Sequence, residues 1–255
     1  MHEPLQYNNW TIEQHQWDPQ QEADIQQQLS FSNGYICQTA HFEEYYSAPQ
    51  RLHTLIAGIE QPILNLSSIS IRLHDERLDL ATWQVKHFYR CLHKNQPCLE
   101  RHFTATSPKG ATLEVKTKRH LLPQQECMII DYQITSVDYK GPISMLAMLS
   151  PGDEKIDWYP LRNHIGQDHC WLWLQMHELN LQLCCAMNWE VFYNDTPLQQ
   201  RPIKIEKQHT IGYSIITTIK PGDTCMLRKK VVVMDSRTYG QDDLINKTTQ
   251  CLTNL

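Results

Sequence analysis

The stretch Leu99-Glu-Arg-His-Phe-Thr-Ala-Thr106, followed by Ser107-Pro-Lys-Gly110 and by Leu113-Glu-Val-Lys-Thr-Lys118, decides the fold class. Leu99, Phe103 and Ala105 fall on one side of a two-residue repeat, and Glu100, His102 and Thr104 on the other. That is the period of a half-buried strand. Pro108 and Gly110 mark a tight reversal between the two runs. Working outward, Ile69-Ser-Ile-Arg-Leu-His74 alternates in the same way, Asp75-Glu76 breaks it, and Leu78-Asp-Leu80 resumes. Residues 127–137 read as a long strand closed by Asp138-Tyr-Lys-Gly141. Residues 171–176, 179–183, 189–193, 210–219 and 224–234 complete the series, with Pro221-Gly-Asp223 as a tight turn. Many short strands at roughly ten-residue spacing predict an antiparallel sandwich or barrel. Only residues 20–28 and a segment from Gln241 read as helical, and neither is a βαβ crossover. The class is all-β, a large antiparallel β-sandwich with few short helices.

A chain of 255 residues buries enough surface to need no covalent staple. The net charge of -5 argues against a nucleic-acid partner, which wants clustered basic residues. The densest basic groups, Lys116-Thr-Lys-Arg119 and Arg228-Lys-Lys230, sit inside strand patterns, where solvent-facing charges are ordinary. No apolar run reaches the roughly 18–20 residues of a membrane helix, so no membrane partner is expected. Residues 1–9 have no basic segment followed by an apolar core, so no secretory signal is read there. Nine cysteines, an odd number without a CxxC pair, fit buried free thiols in a reducing, cytoplasmic compartment. Trp10 and Trp17 would anchor the Gln-rich arm at residues 1–30.

The stretch Phe31-Ser-Asn-Gly-Tyr-Ile-Cys-Gln-Thr-Ala-His-Phe-Glu-Glu44 resembles the fingerprint of the N-terminal domain of glycoside hydrolase family 65, the maltose, kojibiose and trehalose phosphorylase family. Asn33, Gly34, Tyr35, Ile36, Phe42, Glu43 and Glu44 match the pattern. Cys37, Thr39 and Ala40 stand where the family has Gly, Arg and Gly. A second landmark keeps Leu92, Leu99 and Arg101, and a third is matched by Arg119. The resemblance implies a supersandwich of the galactose-mutarotase-like type in residues 1–240. Residues 241–255 would begin a linker toward a catalytic (α/α)6 barrel, which supplies the chemistry. It implies an enzyme that cleaves α-glucosidic disaccharides by inverting phosphorolysis or hydrolysis. In such an enzyme this domain supports the barrel, homodimerisation and the rim of the sugar pocket. No catalytic residue carries over to this chain, and no metal or cofactor is expected.

Inverting glycoside chemistry needs two carboxyls roughly 6.5–9.5 Å apart. Glu43 and Glu44 are sequence neighbours whose side chains would point to opposite faces if extended, which favours a structural role at the turn. Asn33, Gly34, Arg101 and Arg119 join them as structural motif residues. Asp153, Asp157, Trp158 and Tyr159 combine acids with aromatic faces in one loop and are the candidate sugar contacts. His164, His169 and Cys170 lack zinc-ligand spacing. Trp171 and Trp173 share one strand face and suit a core or interdomain contact. No nucleophile elbow, Walker loop or dinucleotide motif occurs. A stand-alone carbohydrate-binding or mutarotase-like module is the alternative reading.

Overall fold

A computed structural model of the chain describes residues 4–48, 54–59, 62–63, 65–150, 158–176, 180–207 and 210–255. The N-terminal part holds β1 (Gln6–Tyr7), β2 (Thr11–Gln14), α1 (Glu22–Gln28), β3 (Phe31–Ser32), β4 (Ile36–Gln38) and β5 (Thr54–Ile56). The centre holds β6 (Ile69–Leu73), β7 (Glu76–Arg77), β8 (Gln84–His93), β9 (Cys98–Thr106), β10 (Thr112–Leu121), β11 (Cys127–Ser136) and β12 (Gly141–Leu149). Then come β13 (Trp158–Ile165), β14 (His169–Met176), β15 (Gln182–Tyr193), β16 (Thr196–Pro197), β17 (Ile203–Lys207), β18 (Thr210–Ile219) and β19 (Thr224–Asp235). Two helices follow, α2 (Ser236–Tyr239) and α3 (Leu244–Thr253).

One long sheet of 11 strands runs β1-β2-β8-β9-β10-β11-β19-β15-β14-β13, with β16 hairpinned onto β15. A five-stranded sheet runs β17-β18-β12-β6-β7 and a three-stranded sheet runs β3-β4-β5. Leu99, Phe103, Leu113, Val115, Ile130, Tyr132 and Ile134 point inward from the long sheet and are buried. Ile71, Met145 and Ile215 stand directly opposite one another across β6, β12 and β18 and are buried as well. All join a single apolar cluster. Burying each such side chain stabilises the fold by roughly 1.5–3 kcal/mol. Of the sandwich or barrel that the two-residue repeat predicts, the architecture is the large antiparallel β-sandwich, as the family resemblance also implies.

The solvated face of the long sheet carries a charge ladder. Glu100, Lys118, Asp131, Arg228 and Glu190 stand directly opposite one another across β9, β10, β11, β19 and β15. Lys118 Nζ lies 2.9 Å from Glu100, and Arg228 Nε donates to Asp131 at 2.7 Å. Each pair is worth only about 0.2–1 kcal/mol. A one-residue slip would turn these charges into the core, so the ladder pins the register.

Five expectations need correction. Leu78-Asp-Leu80 is no strand: Asp79 Oδ1 accepts the backbone N–H groups of Ser47 and Ala81 and folds the segment into a turn. Trp10 is 64% exposed and anchors nothing, whereas Trp17 packs against Phe42, Tyr46 and Phe88. Arg119 and Lys229 lie in the interior, because strand parity turns them inward while Lys118 and Lys230 face out. The final helix begins at Leu244 rather than Gln241. Glu43 and Glu44 occupy a bend rather than extended backbone, and their carboxylates converge on one guanidinium.

Trp171 and Trp173 pack beside a second apolar cluster under α3, which buries Leu244 and Leu252 against Cys127, Cys184, Ala186, Val232 and Met234. The nine cysteines are free thiols, and only Cys37 and Cys251 are more than slightly exposed. No helix of the described residues is long and apolar enough to cross a membrane.

Candidate functional site

The fingerprint residues sit between the three-stranded sheet and the inner face of the long sheet. Asn33 holds the turn. Its Oδ1 accepts the N–H of Tyr35 at 3.0 Å and of Ile36 at 2.8 Å. Its Nδ2 donates to the carbonyls of Leu122 and Gln125 in the β10–β11 turn. Gly34 has φ +94°, a conformation that side chains with a Cβ adopt at a cost. Tyr35 donates from its hydroxyl to Asp235 at 2.7 Å, and Asp235 also accepts the N–H and guanidinium of Arg237.

Beneath the turn, three arginines from the long sheet meet three glutamates from the N-terminal segment. Arg90 on β8 stands directly opposite Arg101 on β9, and both are buried, as is Arg119 on β10. Two like charges face to face across a buried strand pair would drive the sheet apart without matching anions. Glu22 of α1 supplies one, at 2.7 and 2.8 Å from Arg90 Nη2. Glu44 takes both Nη groups of Arg101 at 2.5 Å, the fork geometry of a bidentate pair. Glu43 bridges the set, accepting from Arg101 Nη2 at 2.6 Å and from Arg119 Nε at 3.0 Å. The remaining donors of Arg119 reach Gln38 Oε1 and the carbonyls of Thr39 and His41. Phe42 lies between two guanidinium groups, 4.7 Å from Arg101 and 5.2 Å from Arg90.

This arrangement fixes the chemistry of the acids. Burial alone would raise the Glu43 carboxyl, but Arg119 and then Arg101 outweigh it and hold the group at about 2. A carboxylate that stays ionised and is 2% exposed has no proton to give and no substrate to reach. Arg101 is disfavoured by burial, yet Glu44 and Glu43 more than restore its charge. Burial raises the Glu22 carboxyl while Arg90 opposes it. The cluster is an electrostatic lock between α1, the bend and strands β8 to β10.

Cys37 and Ala40 occupy positions of ordinary negative φ, so nothing in the backbone there demands glycine. Thr39 hydrogen-bonds His41 Nδ1 at 3.0 Å through its hydroxyl.

Asp153 and Asp157 lie outside the described residues. Trp158 is buried at the start of β13 and its indole N–H has no hydrogen-bond partner among the described residues, while Tyr159 next to it is 37% exposed. His164 stacks on Trp171 at 5.8 Å and lies 6.0 Å from the His169 ring. Among the described residues no group of three metal-ligating side chains converges. A surface cleft of about 450 Å³ is lined by Asp168, Asn188, Trp189, Glu190, Phe192 and Gln200. Pairing of His169 with Asn188 brings Asp168 beside Trp189, and Trp189 stacks flat on Tyr213 at 5.8 Å. Sequence reading missed this cleft, and also missed Glu22, Arg90 and Lys229. The available signal was parity: Arg90 falls between Phe88 and Leu92 on the inward side of its strand.

Fold and ion lock together define a large antiparallel β-sandwich whose N-terminal segment is tied to the long sheet through buried charge. The family model described as "Glycosyl hydrolase family 65, N-terminal domain" matches residues 12–255, and the chain belongs to that family. It is 25% identical over 168 residues to the alpha,alpha-trehalose phosphorylase of Thermoanaerobacter brockii, covering 56% of this chain and 22% of that protein. It superposes with a TM-score of 0.87 and 16% identity on a protein assigned as a kojibiose phosphorylase from the human microbiome. That match covers 98% of this chain and 36% of the other. The chain therefore spans well under half the length of both relatives.

Proposed function

We propose that this chain is the non-catalytic N-terminal β-sandwich of an enzyme that cleaves α-glucosidic disaccharides by inverting phosphorolysis or hydrolysis. Residues 1–240 form the domain, and 241–255 lead toward a helical catalytic barrel. The domain supports that barrel, homodimerisation and the rim of the sugar pocket. Asp153, Asp157, Trp158 and Tyr159 are its candidate contacts with sugar. The free thiols favour a reducing, cytoplasmic compartment. The observation that carries this reading is the family match over residues 12–255, to the N-terminal domain of glycosyl hydrolase family 65, in a chain that covers only 22% of the trehalose phosphorylase it resembles.

The test is a proton NMR time course of the 255-residue chain with trehalose, kojibiose or maltose and phosphate. The expected result is no glucose 1-phosphate and no glucose above the blank. Turnover abolished by a single substitution in this chain would overturn the reading. The cleft at Trp189 favours a second reading, a carbohydrate-binding or mutarotase-like module. It is separated from the first by sugar titration and anomer exchange in the same sample.

A further inference from the structure

We propose that Cys127 and Cys251 form a redox site, a dithiol that closes to a disulfide and fastens α3 to the long sheet. The two sulfurs are 3.6 Å apart, in hydrogen-bonding contact, although 124 residues separate them in the chain. Cys127 opens β11 and is fully buried, whereas Cys251 lies on the shoulder of α3 and is half-buried. Among the described residues no other two sulfurs make such a contact. Cys184 and Cys185 are adjacent in β15, so their side chains point to opposite faces.

The surroundings assign the roles. Burial, and then the neighbouring Cys251 sulfur, hold the Cys127 thiol proton far above its usual range. Cys251 is the thiol that solvent reaches, so it reacts first. With a low-molecular-weight disulfide such as oxidised glutathione, the Cys251 thiolate attacks one sulfur and breaks the S–S bond. The first glutathione leaves as thiolate and takes up the proton that Cys251 lost. Cys127 then attacks the Cys251 sulfur, and its proton goes to the departing second glutathione. The protein loses two hydrogens, and one disulfide is reduced to two thiols.

The bond would matter because α3 is weakly held by its own means. It has 10 residues, no side-chain hydrogen bond at its N-cap residue Asp243, and no basic residue in its last turn. A helix of that length is marginal alone and depends on packing against the sheet. Leu244, Thr248 and Leu252 supply that packing at four-residue spacing. A bond at Cys251 pins the last turn of this face. It would form when the compartment turns oxidising and reverse when thiol is restored.

The experiment treats the 255-residue chain with oxidised glutathione, quenches by acid and alkylation, and measures intact mass and tryptic peptides. The expected product is lighter by two hydrogens, with the peptides of Cys127 and Cys251 joined, and dithiothreitol reverses it. Amide exchange across residues 244–253 should slow about tenfold or more on oxidation, and the melting midpoint should rise by several degrees. Cys251→Ser removes all three responses, and its half-buried site leaves folding intact. Cys127→Ser should stop at a stable glutathione adduct on Cys251. A lasting adduct on Cys251 in the unaltered chain would overturn the proposal. So would a disulfide joining other cysteines, or a joined pair that leaves exchange in α3 unchanged.

Discussion

The arginines at positions 90 and 101 carry the strongest demand in the molecule, because their side chains are buried directly opposite each other. Removing one anion leaves a buried guanidinium uncompensated, which typically costs about 3–5 kcal/mol. Glu44→Gln should therefore lower the urea midpoint by that equivalent while leaving the native circular dichroism of surviving protein unchanged. Lys229 makes the opposite case. Its Nζ donates to the carbonyls of Ser68 and Met148 at 3.1 and 2.5 Å, with no carboxylate paired to it among the described residues. Burial lowers this ammonium from 10.5 to about 7. A lowered base binds fewer protons folded than unfolded between those values, so stability rises as pH climbs from about 7. Lys229→Met should flatten that rise, read as urea midpoints at pH 7 and 8.5. A wild-type midpoint that does not move between the two would contradict the placement of the charge.

At the scale of the element, β12 and β18 approach so closely that residue identity is fixed by space. A Cβ on Gly212 would lie 2.1 Å from the carbonyl oxygen of Ala147 and 3.0 Å from Met148 Cα, both backbone atoms that cannot turn aside. Gly212→Ala should cost at least about 2–3 kcal/mol by forcing the strands apart. Gly222→Ala, at φ +87° with open space around it, should cost only about 1 kcal/mol. Thermal melts of the two variants check the ranking. The strands themselves were legible: residues 210–219 and the hairpin around Pro108 and Gly110 appear where the two-residue repeat put them. Leu78 to Leu80 misled because buried leucines at alternate positions also fit a turn held by the Asp79 carboxylate. The ion lock was half visible. Arg101, Arg119, Glu43 and Glu44 could be singled out from the fingerprint, but nothing local tells that Glu22, in a poorly periodic helix, meets Arg90 across 68 residues. Pairings of that kind are set by tertiary packing, and a single sequence does not display them.

At the scale of the whole molecule, the titratable interior sets a pH window. Glu43 adds stability above its unfolded value of 4.5, and that contribution is lost as pH falls toward about 2. Buried thiols act at the other end. Burial raises Cys98 and Cys225 to about 11, and Cys170 and Cys184 to about 12. The folded chain thus keeps protons that the unfolded chain releases above 9, and stability falls there. Together with the rise from Lys229, the maximum should lie between about pH 7 and 9, checked by melting midpoints across pH 4–10 under reducing conditions. The same interior explains how two small layers stay on one long sheet. The three-stranded layer is joined to it by Phe31, Ile36 and Ile56 in the shared apolar cluster and by the Arg119 guanidinium on Gln38, and the five-stranded layer by aliphatic packing and Lys229. The central claim is that Glu43 and Glu44 hold the fold together and perform no chemistry. The direct measurement is a double-mutant cycle on Glu44→Leu and Arg101→Leu by urea unfolding. Each single change should cost about 3–5 kcal/mol and the double change much less than their sum, because removing both partners strands neither charge. Near-neutral single variants, or strictly additive losses, would contradict the claim.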